Sequence, residues 1–263
     1  MDLGLKDKVA VVAAASQGLG KACALAFARE GAKVVLFSRR KNEIDAAALE
    51  IANQTGAEVV GIVADVLNSA DIKRVVAEAK ARFGAIHILV NNAGGPPTGN
   101  LLTLSDDDWR RGHELTLMST VRLTREALPF MIEQQWGRII TISSFVAKEP
   151  INELILSAVI RPGLHALAKI LANQHARNNI TVNAVCPGYV LTKRQEELGA
   201  ARSKEQKVSM EEYLSEQSKN IPAGRFGTPE EIGNVVAFLA SERASYINGA
   251  NILVDGGLTK AFF

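Results

Sequence analysis

A chain of 263 residues, 47% hydrophobic, carries 30 basic against 28 acidic residues for a formal charge of +2. It is long enough to bury a large core unaided, and its interspersed charges offer neither nucleic acid nor an anionic membrane a surface. Cys23 and Cys186 lie far apart in apolar segments and read as buried, reduced thiols; with no signal peptide or ~20-residue apolar run, the expected location is cytoplasmic.

The lysine-flanked apolar run that opens at Lys8 passes through a small-residue turn at 13–20 into a helical pattern from Lys21 to Glu30. Such a strand, turn and helix point the free N–H groups and positive dipole end of the helix at an anion over the turn. Alternation then repeats: strand 33–37, helix 42–55, strand 58–63, helix 69–83, strand 86–90. Strands separated by helices pair in parallel, with both faces covered and ligands at their carboxyl ends. Ser105 and Asp108 have capping-box spacing and announce a long helix over 106–134. Strand 137–142, a helix over 156–177 and strand 180–186 follow, the last stopped by Pro187 and Gly188. The charged segment 193–220, with scattered Leu198, Val208, Met210, Tyr213 and Leu214, reads as an amphipathic flap outside the main alternation, either a substrate lid or a solvated helical insertion. Thr228 and Pro229 start a further helix, and 251–254 is a final strand.

These pieces resemble the short-chain dehydrogenase/reductase family across essentially the whole chain. The matching residues are the turn at 13–20, Asp65, the Asn-Asn-Ala-Gly run at 91–94, Ser143 and Ser144, the Asn183 to Gly188 segment with Thr192, Arg225 to Glu230, and Asn248 to Gly257. Within that family they look like the 3-oxoacyl-(acyl-carrier-protein) reductase group. The resemblance implies a single Rossmann-like α/β domain over 1–263, a doubly wound parallel sheet of about seven strands with helices on both faces and a helical lid at about 193–220. It implies a nicotinamide dinucleotide over Ala14, Ser16, Gln17, Gly18, Leu19 and Gly20, with Asp65 and Val66 at the adenine. Asn91, Ala93 and Gly94 would line the nicotinamide ribose side, Pro187 and Gly188 the nicotinamide, with Val190 and Thr192 beyond. About 20 residues past the turn, where an NAD-selective site places an acid, stand Ser38, Arg39 and Arg40. A guanidinium fork binds a 2′-phosphate that a carboxylate would repel, so NADP(H) is favoured over NAD(H), through Arg39.

Four positions depart from the family pattern. Ala14 replaces the first turn glycine, where a methyl group crowds the approach of the pyrophosphate. Thr116 stands where the family has the asparagine that holds a relay water. Thirteen residues after Ser144, Ser157 replaces the tyrosine that protonates the carbonyl oxygen, and Arg161 replaces the lysine that lowers the tyrosine pKa. Pro162 biases Arg161 away from helical geometry, so the helix is expected to begin or kink there. Lys148, Glu149 and His113 are candidate replacement acids, each read more simply as a solvated charge; His165 and Lys169 are expected to face a neighbouring subunit or solvent.

Two readings remain. In the first, the chain is an atypical NADP-dependent reductase of a small-molecule carbonyl, or oxidises the alcohol: Ser144 binds the oxygen, Arg161 positions the ribose or polarises the oxyanion, and Ser157 or a nearby group relays the proton. In the second it is a catalytically silent dinucleotide-binding subunit. Family resemblance in the two long helices and the C-terminal strand implies a homotetramer.

Overall fold

The computed structural model describes residues 2–261, leaving undescribed the side chains at 194, 197, 198, 201, 202, 205 and 206. The terminal Phe262 and Phe263, and Leu198 of the lid, fall outside the described residues.

Strand β1 (Val9–Ala13) is wholly buried and feeds α1 (Gly18–Arg29). The chain continues through β2 (Lys33–Ser38), α2 (Lys41–Thr55), β3 (Val59–Val63), α3 (Ser69–Phe83) and β4 (Ile88–Asn91). The second half adds α4 (Asp106–His113), α5 (Ser119–Glu133), β5 (Gly137–Ile142), α6 (Ile155–Ile160), α7 (Pro162–His175) and β6 (Ile180–Pro187). Helices α8 (Lys193–Gln206) and α9 (Met210–Lys219) make up the segment read as a flap, before α10 (Pro229–Ala240) and β7 (Asn251–Val254).

All seven strands pair in parallel in the order β3-β2-β1-β4-β5-β6-β7. Chain order reverses between β1 and β4, the crevice at which open α/β sheets bind ligands. Period-two alternation divides β1 between two cores: Ala10 and Val12 pack with Cys23, Phe27, Ile44 and Val236 on one face, Val11 and Ala13 with Ile72, Val76, Leu123 and Ala168 on the other. Both cysteines are buried free thiols, with Cys23 pushed up to about 12 and Cys186 to about 11, chiefly by burial.

Local signals explain several boundaries. Ser105 and Asp108 form the expected capping box of α4, and Thr228 and Glu231 cap α10, where Glu231 also takes a two-pronged bond from Arg225. Asn183 and Asn248 serve the sheet: Asn183 accepts from Ala250 N at 3.0 Å and Asn248 from Val182 N at 2.8 Å, tying β6 to the approach to β7.

Two expectations about helices change. The helix over 106–134 is continuous but not uniform: Glu114–Met118 widens into a π-helical turn between α4 and α5, with Thr116 at its middle. A helix does begin at Pro162, as expected, with α6 ending at Ile160 before it, but the junction keeps Ser157 and Arg161 in helical register. Arg161 keeps helical angles (φ −66°, ψ −27°), and its N–H donates to Ser157 O at 3.0 Å. Proline removes only the bond to the carbonyl four residues back, while Leu156, Ile160, Leu164 and Ala168 bury one face on both sides of the junction. The combined span Ile155–Asn178 is long and apolar enough to cross a membrane by length and composition. In this fold that apolarity serves the core on one face, with Val159 and Ile170 exposed on the other.

Candidate active site

At the end of β1 the chain turns sharply, and Ala14 adopts φ +48°, in the left-handed region that disfavours a Cβ. Gly20 is required: a Cβ there would lie 2.6 Å from Ala14 O and 2.8 Å from Asn92 Nδ2. Asn92 holds the turn by donating to Ala13 O at 3.1 Å and Ala14 O at 3.3 Å. Gln17 is extended at the N-cap of α1 and supplies no side-chain cap. The first N–H groups of α1 therefore stay available to an anion. Because Ala14 carries strain that glycine would not, Ala14→Gly is expected to stabilise the fold by about 1 kcal/mol and to tighten dinucleotide binding. Urea unfolding and cofactor titration of the two proteins check it; unchanged midpoint and affinity would refute it.

A cleft of about 750 Å³ runs from this turn across the carboxyl ends of the strands. At one end it is lined by Ala14, Ser16, Gln17, Gly18, Leu19, Ser38, Arg39, Arg40, Asp65 and Val66. Arg40 turns to Glu43 at 2.7 Å, a carboxylate that Ser16 Oγ also reaches at 3.5 Å. Arg39 is exposed and has no partner among the described residues, and the buried Ser38 Oγ has none either. Asp65 is folded into its own turn, accepting from Leu67 N at 2.9 Å. An uncapped helix start, a free guanidinium and an orphaned hydroxyl along one wall fit a dinucleotide with an extra phosphate on its adenosine ribose.

Toward the other end the lining includes Ala93, Gly94, Ser143, Ser144, Ser157, Arg161, Pro187, Gly188, Val190 and Thr192. Gly188 permits a close approach, since a Cβ there would meet Asp255 Cβ at 2.6 Å. Ser144 caps the short turn after β5 by accepting from Val146 N at 3.4 Å. Ser157 and Arg161, one helical turn apart, are both buried and face the cleft. Arg161 is anchored from below: its Nη1 donates to Ile142 O at 3.1 Å and Ser143 O at 2.8 Å.

Several expected residues stand elsewhere. Asn91 does not line the cleft; its amide donates inward to Thr124 Oγ1 at 3.0 Å, and Asn92 takes the cleft position. Thr116 also lies behind the cleft wall, at a cavity of about 10 Å³ shared with Asn91, Thr120, Arg161 and Leu164. That is about the room one water needs, and the Thr116 hydroxyl and Asn91 Oδ1, both without a hydrogen-bond partner among the described residues, face its polar lining. Of the candidate acids, His113 is exposed outside the cleft, Glu149 accepts from Lys260 N at 2.6 Å, and Lys148 ends the short turn after β5 without lining the cleft. Lys169 is exposed as expected, but His165 is not turned outward. Its Nε2 lies 2.9 Å from Ser143 Oγ and 3.4 Å from Cys186 Sγ. Positions 157, 161 and 165 recur every fourth residue and so share a helix face, a signal already present in the spacing.

Comparison with known proteins agrees with this geometry. The family model described as enoyl-(acyl carrier protein) reductase matches residues 13–259. The 3-oxoacyl-(acyl-carrier-protein) reductase FabG of Aquifex aeolicus is 36% identical over 98% of this chain and 100% of its own. Oxidoreductase UcpA of Escherichia coli is 36% identical over 97% of this chain and 95% of its own. Among solved structures, L-sorbose reductase from Gluconobacter frateurii, complexed with NADPH and L-sorbose, superposes with a TM-score of 0.96 at 34% identity, covering all of both chains.

Proposed function

The chain belongs to the short-chain dehydrogenase/reductase family, and from that premise we propose that it is an NADP(H)-dependent oxidoreductase that reduces a small-molecule carbonyl by hydride transfer. The carrying observation is the single cleft that joins the anion-ready start of α1 and Arg39 to Ser144, Ser157 and Arg161. A dinucleotide with phosphates at one end and nicotinamide at the other matches that polarity. Relatives described with NADPH support the same cofactor, and the 3-oxoacyl thioester reductases among them make a 3-oxoacyl compound the first substrate to try.

When bound, NADPH supplies the hydride. The protein's part is to orient and to stabilise charge, which can itself supply several kcal/mol of the barrier. Ser144 donates its hydroxyl proton as a hydrogen bond to the carbonyl oxygen. Arg161 contributes fixed positive charge beneath the same point, held by the carbonyls of Ile142 and Ser143. Ser157 supplies a second hydroxyl on the same wall.

Arg39→Ala tests the cofactor assignment. Losing a charge-assisted fork to a phosphate should weaken NADPH about 10–100-fold while leaving NADH nearly unchanged. Fluorescence titration of the purified protein with each dinucleotide gives the answer. Equal affinities for NADPH and NADH before the substitution, or an equal loss after it, would refute the reading.

A further inference from the structure

Carbonyl reduction needs a proton at oxygen as the hydride arrives at carbon. Among the described residues lining the reacting end of the cleft are Ser143, Ser144, Ser157 and Arg161, none of which titrates near neutral pH. A serine can pass a proton on, but it must be resupplied from behind. Directly behind Ser143 stands an imidazole that the family motif does not include.

We propose that His165, acting through Ser143, is the proton relay of this enzyme, carrying protons from solvent to the carbonyl oxygen in place of the missing tyrosine; the proposal rests on the carbonyl-reductase reading. Three observations carry it. His165 Nε2 and Ser143 Oγ are 2.9 Å apart, a full hydrogen bond. Ser143 lines the cleft, so the pair connects the cleft to its back wall. His165 itself is only half-buried, one turn beyond Arg161 on α7, and so retains contact with solvent.

The surroundings keep the imidazole in its neutral form. Ser143 faces it from the end of β5, Cys186 from β6, Lys148 from the turn after β5, and Arg161 from the preceding helical turn. Burial, then the positive charges of Lys148 and Arg161, push the His165 pKa down to about 4. A neutral imidazole has one N–H and one lone pair, which is what a relay requires. Hydride adds to the carbonyl carbon and the C=O electron pair moves to oxygen. That oxygen takes the Ser143 hydroxyl proton, Ser143 Oγ takes the proton on His165 Nε2, and Nδ1 takes one from water. One hydride and one solvent proton enter the product, and the histidine ends as its other tautomer.

The first test needs no turnover. In ¹⁵N-detected NMR of the chain, which has four histidines, the His165 signals, assigned by their loss in His165→Gln, should show the Nε2–H tautomer at neutral pH. The Nδ1–H tautomer, with Ser143 donating outward to Nε2, would overturn the relay because no proton could then move inward. The second test is kinetic: His165→Gln should lower kcat on the order of 10²-fold and reduce the number of protons in flight in a solvent-isotope inventory, with NADPH affinity preserved. Unchanged kcat and inventory would overturn it. Leu171→Ala loosens the packing of the same helix on the core at a position outside the Ser143–His165 pair and should keep kcat within about twofold; an equal fall in both variants would assign the effect to packing and defeat the proposal. If the unaltered protein oxidises NADPH with no carbonyl compound, the reductase reading fails, and the tautomer still decides whether the proton path exists.

Discussion

Ser157→Tyr combined with Arg161→Lys is expected to raise kcat for carbonyl reduction on the order of 10²-fold, the usual worth of a positioned general acid. The two side chains already occupy one helix face and one wall of the cleft, so the replacements enter at the right places. A tyrosine hydroxyl, with a pKa of ~10, yields its proton far more readily than serine, and a neighbouring ammonium lowers that pKa further. Lysine has three donors with which to keep the carbonyl bonds that Arg161 now makes to Ile142 O and Ser143 O. Either substitution alone should give much less, since the acid and the charge that tunes it act as a unit. In the double variant the tyrosine bypasses the rear supply, so adding His165→Gln should then cost little. Steady-state kinetics with NADPH and a fixed carbonyl substrate measures the unaltered protein, the two single variants, the double variant and the triple variant. A folded, NADPH-binding double variant with unchanged kcat would show that proton delivery does not limit this site.

How much of this was legible beforehand varies with the kind of interaction. The strand and helix alternation was readable because parallel strands buried on both faces are continuous apolar runs, and because Ser105 and Thr228 cap helices by chemistry visible in the chain. The place of Arg39 on the cleft wall was readable from its distance past the turn, whereas the diversion of Arg40 to Glu43 was not, since a surface pair depends on rotamers. Asn91 and Asn92 were confused because neighbouring residues at a strand end face opposite ways, and only the register of β4 decides which one meets the cleft. Pro162 was rightly read as a helix start, but its bias on Arg161 was given too much weight: the apolar face shared by Leu156, Ile160 and Leu164 carries the helical register across the junction. The π-helical turn at Thr116 left no periodic signature in a segment of five residues. His165 was misplaced because it was weighed alone, without the four-residue spacing that puts it on the face of Ser157 and Arg161.

At the opposite end of the sheet, Glu242→Ala is expected to destabilise the protein by about 3 kcal/mol, because it strands a buried charge. Arg138 opens β5 with a fully buried side chain, and burial pulls its pKa below the ordinary value. Its Nη1 donates to Gly137 O and Asn179 O, both at 2.9 Å, while Nη2 has only the Glu242 carboxylate at 3.5 Å. The guanidinium lies 4.2 Å from the centre of the Trp136 ring, and the Lys8 ammonium lies 4.3 Å from it. Glu242 is therefore the one anion paired with this cationic stack among the described residues, and it also accepts from Trp136 Nε1 at 2.7 Å. Removing the carboxylate leaves the guanidinium desolvated and the indole N–H without its acceptor. Arg138→Met removes the charge together with its desolvation cost and should cost only about 1 kcal/mol, for the two carbonyl bonds. Arg138→Met added to Glu242→Ala should therefore restore most of the stability lost in the single Glu242 variant. Urea unfolding of the four proteins at neutral pH closes the cycle. If Glu242→Ala falls within about 1 kcal/mol of the unaltered protein, or the double variant is no more stable than Glu242→Ala alone, the aromatic stack and the two carbonyls suffice to hold Arg138 and the carboxylate is a surface ornament.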